Sequence, residues 1–261
     1  MKIENLSIGV VCGGFSNERE ISLRGAQSIH QTLVAKNINS RLIDIKDKNE
    51  MHDKKMYEGI DFALVMIHGK GGEDGEVQEF LSSLNIKVKG IHEYADPQAA
   101  VASAKAIAIG GGNTFNLLHQ LYENNLITCL QKQVNQGIPY IGWSAGSNVA
   151  GTSIRTTNDM PIIEPKSFAA LNLVPFQLNP HYIEESPSDH HGETREQRLA
   201  EFMVLHPETN IVGLVEGSAL KLSSNKRKQH LQLLGTEQGY LFRAGEKQII
   251  DNQTDLSYLL A

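Results

Sequence analysis

Short apolar runs rich in β-branched residues alternate along the chain with stretches whose apolar residues recur near the helical period. That alternation restricts the fold more than any other feature. SIGVVCG (7–13), SRLIDI (40–45), DFALVMIHG (61–69) and IKVKGIH (86–92) are strand-like, and SLRGAQSIHQTLVAK (22–36) and EVQEFLSSL (76–84) are helical. The pattern resumes with PQAAVASA (97–104) as a helix and KAIAIGGG (105–112) as a strand ending in glycines. TFNLLHQLYENNLITCLQKQVNQG (114–137) then reads as one or two helices, and PYIGWS (139–144) as a strand. FQLNPHY (176–182) and NIVGLVEG (210–217) are strands around the helix ETREQRLAEFMVLH (193–206). ALKLSS, HLQLLG, GYLFRAG and KQIID read as short antiparallel strands. Helices between strands supply the crossovers that parallel pairing needs. The expected architecture is therefore α/β: an open, mostly parallel sheet with helices on both faces. DFALVMIHG is almost continuously apolar, the mark of a strand covered on both faces. The region around residue 90 lacks linker composition, so the segments on either side are expected to share one sheet.

A chain of 261 residues can bury a substantial core without disulfide staples. Its net charge of -6 offers no general attraction to nucleic acid or to an anionic membrane, and KRK at 226–228 is short enough to be a solvated turn. No stretch reaches the length of a membrane span. MKIENLSIGVVCGG has neither the apolar run nor the cleavage pattern of a signal peptide, so a cytoplasmic protein is expected. Cys12 and Cys129 have no partner at CxxC spacing and read as buried free thiols. His190 and His191 suggest a metal at first sight, but adjacent side chains seldom share one ion, and a flexible loop is the preferred reading. No metal or cofactor is expected.

Tyr140 to Asn148 reads YIGWSAGSN, with Ser144 between two glycines, after a strand and before a helix. A serine hydroxyl alone is a poor nucleophile; it needs a base, a group to orient that base, and donors for the oxyanion. A sharp strand-to-helix turn lifts such a serine clear of both elements, and Gly142 and Gly146 remove Cβ atoms where the turn is crowded. The N–H of Ala145, at the helix start, would point at a developing oxyanion. GxSxG also describes a plain tight turn; the strand–turn–helix setting favours the nucleophile. GGGN (110–113) matches neither GxGxxG nor a Walker A loop. The N–H of Gly112 fits a second oxyanion donor, with an ordinary glycine turn as the alternative. Both tips fall at one edge of a parallel sheet, where α/β sites form. Among ten histidines, His181 stands out at a strand end behind Asn179 and Pro180. Glu216 likewise ends an apolar strand, where it either orients the imidazole or caps a turn.

AIAIGGGNTFNLLHQL, YIGWSAGSNVAGTSIRTTNDMPI, QLNPHY, GETREQR and GLVEG resemble peptidase E, the α-aspartyl dipeptidase family. The resemblance runs from about residue 90 to about residue 245, and the combined motifs are far more specific than GxSxG. It implies a class I glutaminase amidotransferase-like fold, cleavage of small Asp-X dipeptides, and no metal or cofactor. It also implies a triad of Ser144, His181 and Glu216, with Gly112 and Ala145 as oxyanion donors. It places Arg195 where the family's acidic preference is attributed; a planar guanidinium suits a carboxylate, while an ion pair along the helix is the plainer reading. Asn113 and Asp159 fall on the substrate side, Asp159 being also a rival acid. A cyanophycinase-like serine hydrolase acting on aspartyl polymers is an alternative of the same broad fold.

Residues 1–90 carry another resemblance. VVCGGFSNEREISLRG and ALVMIHGKGGEDGEVQEFLSSLNIKVKG are similar to the N-terminal domain of D-alanine–D-alanine ligases, in which Glu18 and His68 match residues near the first D-alanine. Nothing after residue 90 resembles the ATP-grasp region that ligation needs. The implied organisation is a chimera, natural or engineered: a ligase-like βα segment, 1–90, joined to a peptidase E-like segment, 91–261. The alternative function is a folded but catalytically impaired fusion that serves as a binding or scaffold protein.

Overall fold

The computed structural model describes residues 6–67, 70–72, 75–84, 86, 90–91, 94–184, 192–225 and 228–261. The chain divides into two compact units, Met1–Ala95 and Asp96–Ala261. The fold is α/β with mostly parallel strand pairing, and the described strands form four sheets.

In the first unit, β1 (Ile8–Gly13) lies between β2 (Ser40–Ile45) and β3 (Phe62–Val65), both parallel to it. Parallel neighbours need a crossover, which α1 (Arg19–Ala35) provides between β1 and β2. All six residues of the central strand are buried, as its IGVVCG composition demands. Burial first, and then the Asp44 charge, pushes the Cys12 thiol up to about 11. β3 departs from expectation: its described pairing stops at Val65, and Phe62 is 38% exposed. As the outer strand of a β2-β1-β3 sheet, it is not enclosed along its whole apolar run. α2 (Lys48–Met51) is capped by the Asp47 side chain. It delivers Met51 to a core shared with Val11, Ile43, Ile45 and two residues of α3 (Glu76–Ser83), Val77 and Leu81. Glu18 precedes α1 as an exposed residue whose side chain makes no cap bond. His68, and most of the strand expected over 86–92, lie outside the described residues.

In the second unit, α4 (Pro97–Ser103) starts with Pro97 behind Asp96, whose carboxylate accepts the Ala99 N–H, a strong helix-start combination. β4 (Ile107–Ile109) and β5 (Tyr140–Gly142) pair in parallel. The stretch between them forms two helices, α5 (Thr114–Glu123) and α6 (Ile127–Asn135). They break where Asn125 takes φ 54 and Leu126 turns into the core. After α7 (Ala145–Ala150), β6 (Gln177–Pro180) pairs in parallel with β7 (Ile211–Leu214), with α8 (Arg195–Leu205) as the crossover. Thr194 and Gln197 form a capping box at the start of α8. The chain closes with antiparallel strands: β8 (Ser218–Asn225) on β9 (Lys228–Gly235), and β10 (Gly239–Arg243) on both β7 and β11 (Glu246–Ile250). One apolar cluster packs Leu118, Leu130, Val149 and Leu171 around α5 to α7; another packs Phe176, Val212, Leu231, Leu233 and Leu256. Each such side chain contributes roughly 1.5–3 kcal/mol on burial.

Candidate active site

β4 and β5 end side by side, with Ile109 opposite Gly142. Just beyond them the Trp143 N–H donates to Ile109 O at 3.2 Å and the Gly146 N–H donates to Gly110 O at 3.0 Å. The glycine tip and the GWSAG turn are thus laced together by backbone alone. Ser144 occupies the turn at φ 53, ψ −118, a conformation that residues with a side chain rarely adopt. The Ser147 and Asn148 N–H groups return to Ser144 O at 2.9 and 3.1 Å and start α7. The flanking glycines are obligatory. A Cβ on Gly146 would lie 2.0 Å from Ile109 O, and one on Gly142 would lie 2.4 Å from Gly146 O. From beneath, the Tyr140 hydroxyl donates to that same Gly146 carbonyl at 2.6 Å. Burial raises the Tyr140 pKa, so the phenol stays protonated as a donor. Gly112, at φ 112, and Ala145, the first residue of α7, donate their N–H groups to no acceptor among the described residues.

β6 and β7 deliver a second pair of groups. Pro180 stands opposite Leu214, and the Tyr182 N–H donates to Leu214 O at 2.9 Å. The Tyr182 ring is fully buried beside Tyr240 and Phe242. His181, at φ 56 between strand and anchor, is turned out of the core. There Nδ1 donates to Oε1 of Glu216, two residues beyond the end of β7. A carboxylate on Nδ1 leaves Nε2 as the nitrogen available for proton transfer. The two side chains are 45% and 65% exposed, so water screens their attraction and the bond orients the ring more than it stabilises the fold. Ser144 and His181 are not hydrogen-bonded to each other among the described residues.

The remaining candidates meet around the loop between α7 and β6. Asn148 Nδ2 donates to the Thr114 and Thr157 hydroxyls at 3.2 and 3.3 Å. Asn179 Nδ2 donates to Thr156 O at 2.6 Å, and Asn158 Nδ2 donates to Pro180 O at 3.1 Å. This braid joins α5, α7 and the strand that leads to His181. Asn113 caps α5, accepting the Asn116 N–H at 3.1 Å and donating to Met160 O at 2.8 Å. Asp159 Oδ2 accepts the Thr114 N–H at 2.7 Å, where the helix N-terminus favours a negative charge. Arg195 opens α8, and its Nη1 is buried without a hydrogen-bond partner among the described residues. Burial, then the Arg198 charge, lowers the Arg195 pKa, while Asp159 and Glu216 pull it the other way. The guanidinium therefore sits within electrostatic reach of the carboxylate that orients His181. A buried, unpaired guanidinium nitrogen is costly, and an incoming carboxylate would satisfy it.

Sequence reasoning missed Tyr140, which reads only as a strand residue, and the Thr114–Asn148–Thr157 group, whose members are far apart in the chain. No cluster of three or more His, Cys, Asp or Glu side chains suited to a metal occurs among the described residues. His190 and His191 lie outside them. No described helix is long and apolar enough to cross a membrane.

The chain is similar in sequence to known proteins. The profile of peptidase family S51 matches residues 75–230. Peptidase E of Shewanella baltica OS155 is 58% identical over 181 residues, covering 69% of this chain and 75% of that protein. Peptidase E of Shewanella amazonensis is 54% identical over 186 residues, covering 71% and 77% respectively. A solved D-alanine–D-alanine ligase from Bacillus anthracis, complexed with ATP, is 36% identical over 31% of this chain and 26% of its own, with a TM-score of 0.29.

Proposed function

Because this chain belongs to peptidase family S51, we propose that it is a serine peptidase that hydrolyses dipeptides with an N-terminal aspartate. Ser144 attacks the scissile carbonyl, His181 takes its proton through Nε2 and returns it to the leaving amine, and Glu216 holds the imidazole in the required tautomer. The tetrahedral oxyanion lies between the N–H groups of Gly112 and Ala145. Water then attacks the acyl-enzyme by the same route and frees aspartate. Arg195 takes the substrate's side-chain carboxylate, with Asn113 and Asp159 on the substrate side of the oxyanion loop. The reading includes a cytoplasmic setting, no metal or cofactor, and a fused front segment without ligase activity.

The observation that carries this reading is the positive φ of Ser144 in a glycine-flanked strand-to-helix turn. A buried structural serine has no need of that strained backbone. A second reading, a folded but impaired fusion, is favoured by the missing Ser144–His181 hydrogen bond, although such bonds are often long before substrate arrives. Hydrolysis of Asp-Leu beside Asn-Leu and Glu-Leu, with Ser144→Ala as control, separates the two. Cleavage of Asp-Leu that falls by about a thousandfold or more in Ser144→Ala supports the peptidase. No cleavage by a folded, monodisperse protein leaves the impaired fusion.

A further inference from the structure

Arg195 serves an aspartyl substrate only at a set distance from His181, and each stands at an opposite end of the segment between β6 and α8. Both ends of that segment meet a single charge. Lys247, on β11, places Nζ 2.8 Å from Glu184 Oε1 and 2.8 Å from Glu196 Oε2. Glu184 follows closely after His181, and Glu196 is the immediate neighbour of Arg195. The ammonium also lies 5.1 Å from the centroid of the Tyr240 ring and 6.0 Å from that of Tyr182. The Tyr240 hydroxyl donates to Glu184 Oε2 at 2.7 Å.

We propose that Lys247 is a positioning residue that fixes Arg195 relative to the His181–Glu216 pair. An isolated surface ion pair holds little in place. One ammonium shared by two carboxylates and flanked by two aromatic faces is a network, in which each contact restrains the others. Lys247 is enclosed enough for this, at 22% side-chain exposure. Partial burial disfavours its charge, but the bonds to Glu184 and Glu196 prevail and its pKa rises above the ordinary lysine value.

The two ends do not depend on it equally. His181 is also anchored by the buried Tyr182 and its bond to Leu214. Beyond its capping box and a long 3.5 Å bond from the Tyr182 hydroxyl to Glu196, the first turn of α8 has no buried anchor, because its buried residues, Leu199 and Met203, come later. Loss of Lys247 therefore frees Arg195 and leaves the base in place. The kinetic part of this inference rests on the aspartyl dipeptidase reading; the structural part does not.

The test compares wild type, Lys247→Met and Lys247→Arg in the full chain, by amide hydrogen exchange at residues 197–200 and by Asp-Leu kinetics. Lys247→Met should speed exchange there about tenfold. It should also raise KM about tenfold with kcat changed less than about twofold, the pattern of lost ground-state binding. Lys247→Arg should stay close to wild type on both counts. Unchanged exchange in Lys247→Met, or a fall in kcat at constant KM, overturns the proposal. Wild type that folds but leaves Asp-Leu intact refutes the substrate reading, and the exchange result still decides the role of Lys247. Should Lys247→Met fail to fold, Glu196→Gln breaks the helix side of the contact alone. It must show the same faster exchange, and unchanged exchange there overturns the proposal equally.

Discussion

Ser144 and His181 both carry side chains at positive φ, 53 and 56, and each such residue costs about 1–3 kcal/mol. Glycine meets no penalty there. Ser144→Gly should therefore raise stability by about 1 kcal/mol in urea unfolding while losing Asp-Leu hydrolysis, whereas Ser144→Ala should lose hydrolysis with no such gain. Equal stabilities for the two variants would show that the turn is unstrained. Tyr140→Phe deletes the donor to Gly146 O. It should cost about 1–3 kcal/mol of stability and lower kcat, since the N–H of the same glycine bonds the glycine tip at Gly110. At this scale the glycines of GWSAG were legible in the chain because their spacing carries the turn. Tyr140 was not, because a tyrosine in YIG looks like any strand residue until its hydroxyl finds a carbonyl six residues later.

Among the elements, those with local start signals were legible. α4 starts at residue 97 as read, whereas α8 starts at Arg195 and not at residue 193, because Thr194 and Gln197 close a capping box there. The break between α5 and α6 was open in the sequence, since it depends on Asn125 adopting a left-handed backbone against the packing of Leu126. The tie between α8 and β11 was invisible, because nothing in KQIID announces that its lysine meets two glutamates far upstream. That tie should respond to acid. The hydrogen bond from Lys247, and then the one from Tyr240, lowers the Glu184 pKa below its ordinary value near 4.5. A lowered carboxylate pKa means that the folded form holds its proton less tightly. The stabilisation is therefore complete above the ordinary value and is lost as pH falls through the lowered one. The stability gap between wild type and Lys247→Met should be constant near about pH 7 and should shrink below about pH 4.5. Urea titrations at a series of pH values measure it, and a gap that widens in acid would contradict the assignment.

For the molecule as a whole, most of the strands and helices read from the sequence are present among the described residues, the strand expected over 86–92 excepted, and the two compact units divide between Ala95 and Asp96. How the strands divide into sheets was beyond the sequence, because alternation fixes strand type and not which neighbours pair. Each unit contains one free thiol, Cys12 in the first and Cys129 in the second. Cys12 is 1% exposed with its pKa pushed up to about 11, so at about pH 8 it should resist alkylation until the first unit opens. Mass spectrometry of Cys12 across a urea series then follows the first unit, Cys129 being only partly buried. A Cys12 midpoint below that of global unfolding by circular dichroism would show that the first unit opens by itself, and a coincident one would show a single cooperative transition.

The pairing order β11-β10-β7-β6 has a consequence for synthesis, which runs from the N-terminus. The strands that carry His181 and Glu216 are completed well before their neighbour β10, and β11 arrives later still, ahead of Leu256 and Leu259, which are buried in the same core. A nascent chain thus displays its serine, histidine and arginine before it possesses the residues that lock them in register. The core behind β6 and β7 is therefore complete only once Leu256 and Leu259 have left the ribosome.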